Sequence, residues 1–104
     1  MTTYSTQQSR HEAKRRNQRF VEMAVEGRRS EANYIVVTMT DFLQSGISVG
    51  LDRAYLSDTA RGFHDAITKL QAAMNKDLDE AGLQDTVCLD LSELDALIAE
   101  IDKP

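Results

Sequence analysis

Tryptophan is absent from this chain of 104 residues, cysteine occurs once, and the only proline is the last residue. Each scarcity excludes something. A lone Cys88 cannot form an internal disulfide, which points to a reducing compartment and leaves only a cross-chain bridge open. Without an interior proline, no stretch of backbone is barred from forming a long helix. No apolar run approaches the roughly 18 to 20 residues of a membrane span, and the first residues lack the hydrophobic stretch of a signal peptide. The expectation is a soluble, cytoplasmic protein.

Hydrophobic residues make up 41% and charged residues 28% of the chain, with a net charge of −5, a composition that suits one globular domain. The charge is unevenly placed. Met1 to Arg29 carry seven Lys/Arg against three Glu, whereas Ser30 to Pro104 carry five against fourteen Asp/Glu. Arg10, Lys14, Arg15, Arg16 and Arg19 fall within ten positions, and nine acids lie between Asp77 and Asp102. Polar residues at the start predict a flexible N-terminus over 1–9, ahead of a single helical domain over 10–104. That domain opens with a basic helix over 10–29 and closes with an acidic segment over 83–104.

The first helix has good helix formers from Ser9 to Arg29 and a short apolar face at Phe20, Met23 and Ala24, which is expected to meet the core. Its first half has no such face and reads as an arm. A second helix is expected over 30–46, with Ser30 as N-cap and Ser45-Gly46 as its stop. Tyr34 to Thr38 has the β-branched character of a strand, but Ile35, Met39, Phe42 and Leu43 keep helical spacing. Leu56, Ala60, Phe63, Ile67, Leu70 and Met74 then step by four and three residues, the seam of a long helix over about 52–81 that ends at Gly82. Gly62 within it predicts a bend or a close backbone approach. Val87, Leu89 and Leu91 alternate with Cys88 and Asp90, which predicts a short extended segment. Ser92 and Asp95 form a capping-box-like pair, opening a last helix with the apolar stripe Leu94, Leu97, Ile98 and Ile101.

Chemical motifs are weak throughout. His11 stands alone, His64 shares no helix face with Asp65, and Asp77, Asp79 and Glu80 lack the glycine and spacing of a calcium loop, so no metal or other cofactor is expected. Cys88 has no histidine nearby in sequence and reads as a buried structural thiol. Ser45-Gly46 and Ser48-Val49-Gly50 lack the lysine and glycine spacing of a phosphate loop, and no catalytic constellation points to an enzyme.

The expected architecture is all-α, with three to four helices, a long central helix in a hairpin, and a homodimer through Leu56, Phe63, Ile67, Leu70 and Met74. The expected function is non-enzymatic: a small regulator, inhibitor or adaptor, of a kind phages and plasmids encode. Its acidic residues Asp77, Asp79, Glu80, Glu93, Asp95 and Glu100 would meet a basic surface on a larger protein. The alternative is a nucleic-acid binder using Arg10, Lys14, Arg15, Arg16 and Arg19. A third arrangement lays the basic arm of one subunit on the acidic tail of another. No membrane partner is expected.

Overall fold

A computed structural model describes residues 6–103, among which there are three helices and no strand: α1 (Thr6–Ser48), α2 (Arg53–Glu80) and α3 (Ser92–Ile101). The flexible N-terminus expected over 1–9 falls partly outside the described residues, and from Thr6 the backbone is helical. Helix α1 has 43 residues, about 65 Å of helix at about 1.5 Å per residue. It passes through Ser30 without a break, so the two helices expected over 10–29 and 30–46 are one. The reason lies in its buried line. Val25, Ala32, Val36 and Leu43 are spaced by seven, four and seven residues, so the packing face continues across Ser30, and an interior serine costs only a few tenths of a kcal/mol. Thr38 and Thr40 tolerate the helix by donating their hydroxyls to the Tyr34 and Val36 carbonyls, at 2.9 and 2.8 Å.

Glycine closes both long helices in the same way. Gly50 (φ 75°) and Gly82 (φ 74°) take the left-handed conformation, and the next residue returns a backbone bond to the last turn, Leu51 to Gly46 at 2.9 Å and Leu83 to Leu78 at 3.0 Å. Gly82 is the stop the sequence predicts; Gly46 is not, and Gly50 takes its place. Gly46 serves packing instead, because a Cβ there would lie 2.6 Å from Leu56 Cδ2. Gly62 shows the reverse. Nothing lies within 4 Å of its would-be Cβ, so it marks no close approach.

With Asp52 capping α2 through the Tyr55 N–H, α1 and α2 form an antiparallel hairpin. The chain after Gly82 doubles back along it. Val87 and Leu89 are buried with Val25, Ala32, Val36, Ile67, Met74 and Leu78, while Cys88 points outward. The predicted alternation holds, but Cys88 is exposed rather than buried. No strand neighbours this segment, so side chains of α2 satisfy its backbone. Asn75 donates to the Val87 carbonyl (3.1 Å) and accepts from the Val87 N–H (2.7 Å), and Gln71 accepts from the Leu89 N–H (2.7 Å). Helix α3 follows and buries Leu94, Leu97 and Ile101 against Leu43, Leu56 and Ala60 near the hairpin turn. Its start differs from the expected capping box. Ser92 is the first helical residue, its hydroxyl and N–H both donate to Asp90 Oδ1, and Asp95 reaches His64 instead.

The seam of α2 works inside the chain. Leu56, Ile67 and Met74 are buried against α1 and the returning segment, with Phe63 and Leu70 half-buried beside them. They close the hairpin and are covered without a second copy. Each such buried aliphatic side chain contributes about 1.5–3 kcal/mol. The result is a rod of 74 × 18 × 17 Å with a radius of gyration of 20.1 Å, against about 13 Å for a compact chain of this length.

Candidate interaction surface

Helix α1 is apolar on two opposite sides. Because 3.6 residues make a turn, Phe20, Met23, Tyr34, Thr38 and Phe42 fall on one line that faces away from Val25, Ala32, Val36 and Leu43. The sequence reading placed Phe20 and Met23 in the core. They are instead 71% and 66% exposed, with Tyr34 at 74%, and Val21 and Val25 take the inward positions. Only Glu31 and Asp41 bring charge to this outward face between Phe20 and Phe42.

Aromatic placement sharpens the point. Phe20, Tyr34, Phe42 and Tyr55 are exposed and Phe63 is half-buried, so the core is built from Val, Leu, Ile, Met and Ala alone among the described residues. Aromatic side chains carry large apolar areas and dominate cores and interfaces. Here only Phe63 packs against the core, half-buried beside the cluster of Leu43, Leu56 and Ala60. Phe42 meets Phe63 edge-on with ring centroids 6.0 Å apart. With Tyr34, Ile35, Thr38 and Met39 these rings line an apolar cleft of about 310 Å³, at the low end for ligand pockets and suited to one inserted side chain.

The basic arm projects from one end of the rod. Gln18 donates to the Ala81 carbonyl at 2.9 Å, which makes it level with the end of α2. Residues 6–17 therefore extend about 18 Å beyond the body at about 1.5 Å per residue. Arg10, Lys14, Arg15, Arg16 and Arg19 are all exposed, and none of the ion pairs among the described residues involves them, nor Glu12, four residues before Arg16.

The six acids proposed as one surface are divided by the fold. Asp77, Asp79 and Glu80 lie at the root of the arm, where Asp77 pairs with Arg28 and Glu80 with Lys76 at 3.9 Å. Glu93, Asp95 and Glu100 lie on α3 near the hairpin turn, because the segment between the groups runs the length of the hairpin. The apolar stripe of α3 beside them is covered by α1 and α2.

The remaining polar groups hold α3 in place. Asp102 accepts from the Ser57 hydroxyl at 2.7 Å and from Arg61 at 2.9 Å, which hold its carboxyl below the usual range, the Ser57 bond contributing most. Asp90, before the other end of α3, is lowered by the Ser92 hydroxyl and then by the Ser92 N–H. His64 Nε2 stands 3.2 Å from Asp95 Oδ1. Among the described residues no three His, Cys, Asp or Glu side chains converge as metal ligands, and no helix is long and apolar enough to cross a membrane. Comparison with known proteins yields no match, neither to a family model nor to a curated protein or a solved structure.

Proposed function

We propose that this protein acts in the cytoplasm by stoichiometric binding, as a small non-enzymatic regulator, inhibitor or adaptor that presents the outward face of α1 to a protein partner. The observation that carries the reading is the exposure of four of the five described aromatic side chains, with Phe20, Tyr34 and Phe42 collected on one helix face. Such side chains are the usual anchors of interfaces, and an apolar face left uncovered is an aggregation liability. Asp79, Glu93 and Glu100 take part in no ion pair among the described residues, and their free charge favours a partner that also offers basic groups.

Affinity capture from nuclease-treated host lysate tests this with three baits: the native chain, a Tyr34→Glu/Phe42→Glu variant and a Glu93→Lys/Glu100→Lys variant. The expected result is a protein retained by the native bait and reduced at least tenfold by the face variant, with a smaller, salt-dependent loss for the charge variant. Equal capture by the native and face baits would refute the reading. A second reading has its own observation, five unpaired cations of which Arg10, Lys14, Arg15 and Arg16 stand clear of the body, which suit contact with nucleic-acid phosphates. It is favoured if the captured material is nucleic acid and disappears with Arg15→Ala/Arg16→Ala/Arg19→Ala.

A further inference from the structure

Three features of the outward face of α1 are complementary to one another across a twofold axis. Phe20 is a knob, 71% exposed, and the cleft between Tyr34, Thr38, Phe42 and Phe63 is a hole of matching character about five turns along the same helix face. Between them lies Gly27. Nothing in its own chain occupies the space within 4 Å of its would-be Cβ, and glycine there weakens the helix relative to alanine. If two copies of α1 lie antiparallel with their outward faces together, Phe20 of each reaches the other's cleft. The same register sets the gap at Gly27 beside the other copy's Glu31.

Charge selects the same orientation. The arm from Arg10 to Arg19 carries five cations and one acid, Glu12. At the turn end the outward face of α1 itself carries Asp41, while the acids of α3 lie on the other side of the helix, where α3 packs. Antiparallel pairing at this register sets Arg16 of each copy beside the other's Asp41; parallel pairing stacks arm on arm. The area lies at the low end of what specific interfaces bury. A contact running from Arg10 to Ser48 is about 58 Å long and about 10 Å wide, near 600 Å² per copy as a flat projection, against about 800 Å² of accessible surface per partner in a standard interface.

We infer that the outward face of α1 is first occupied by a second copy of the chain, in an antiparallel dimer in which each Phe20 fills the cleft formed by Tyr34, Thr38, Phe42 and Phe63 of the other. The inference rests on the reading of this face as a docking surface, and it adds regulation, since the dimer masks the face until a protein partner displaces the second copy. It also replaces the expected α2 seam as the means of self-association. The interface is isologous, so one contact made twice sets its strength.

Sedimentation velocity over about 1–100 µM tests it, using the full native chain, Phe20→Glu and, as an exposed aromatic outside the contact, Tyr55→Glu. The expected result is a native dimer whose dissociation constant rises at least tenfold for Phe20→Glu, with unchanged helicity by circular dichroism, and stays within twofold for Tyr55→Glu. Raising salt from 0.05 to 0.5 M is expected to weaken the dimer several-fold as the arms are screened. Orientation is read in a Cys88→Ser background. Chains with Ala13→Cys and chains with Ser45→Cys are expected to form a disulfide when mixed and not when oxidised separately. A monomer at 100 µM, a dimer indifferent to Phe20→Glu, or self-linking of Ala13→Cys chains overturns the inference. A monomer that still captures a protein through Tyr34 and Phe42 overturns the dimer alone and leaves the docking surface standing.

Discussion

Val36→Asp is expected to unfold this protein, whereas Val37→Asp, one residue along, is expected to leave its melting curve nearly unchanged. Val36 is 7% exposed and packs with Ala32, Ile67 and Met74, while Val37 is 56% exposed on the other side of the same helix. An aspartate at position 36 loses the burial of valine, about 1.5–3 kcal/mol, and leaves a carboxylate among apolar groups with no cation facing it. That unpaired charge costs several kcal/mol more, or forces the carboxyl to bind a proton. A domain of this size has about 5–15 kcal/mol in total, and a thin rod with a narrow core belongs at the low end. At position 37 the substitution exchanges one solvated side chain for another, within about 0.5 kcal/mol. Thermal melts followed by circular dichroism separate the two. Similar melting temperatures would mean that α1 does not present the Val25–Leu43 line to α2.

Removing Asn75 is the second large effect, and it acts on the last quarter of the chain. Asn75→Ala deletes both hydrogen bonds to the Val87 backbone in a part-buried site, leaving an N–H and a carbonyl without partners at about 1–3 kcal/mol each. The returning segment has no ladder to fall back on, so Val87 and Leu89 are expected to lift from the hairpin and loosen α3 behind them. Hydrogen exchange at residues 83–101 is then expected to speed up at least tenfold while Ala32–Leu43 stays protected. Equal acceleration in both regions would show that the segment does not open separately. Acid reaches the same region through Asp90 and Asp102. Both have lowered folded pKa values, so their contribution is complete above the unfolded value near 3.9 and is lost as pH falls through the folded values. The same measurement at pH 3, corrected for intrinsic exchange, is expected to show α3 loosening ahead of the α1–α2 hairpin.

What the sequence made legible follows from how local each signal is. Helix α2, its stop at Gly82, the alternation of Val87 and Leu89 and the buried stripe of α3 each depend on neighbours a few residues away, and the structure shows all of them. Helix α1 defeats that logic, because apolar residues recur on both of its sides. Periodicity detects the helix but cannot say whether Phe20 and Met23 or Val21 and Val25 turn inward. The choice is made by Leu78, Ala81 and the returning segment, more than fifty residues away. The acidic cluster was misleading for a related reason. Asp77 and Glu100 are close enough in sequence to seem one surface, yet the chain between them travels the length of the hairpin. Ser30 resembled a cap only because the line through Ala32 and Val36 was divided between two expected helices.

Hydroxyl-radical footprinting of the full chain, in dilute buffer and again in concentrated host lysate, is the most direct measurement of whether the outward face of α1 is the working surface. The account predicts that Phe20, Met23, Tyr34 and Phe42 lose reactivity together in lysate while exposed Cys88, on the returning segment, remains reactive. Unchanged reactivity along that face, with protection confined to the α3 side of the rod, would contradict it.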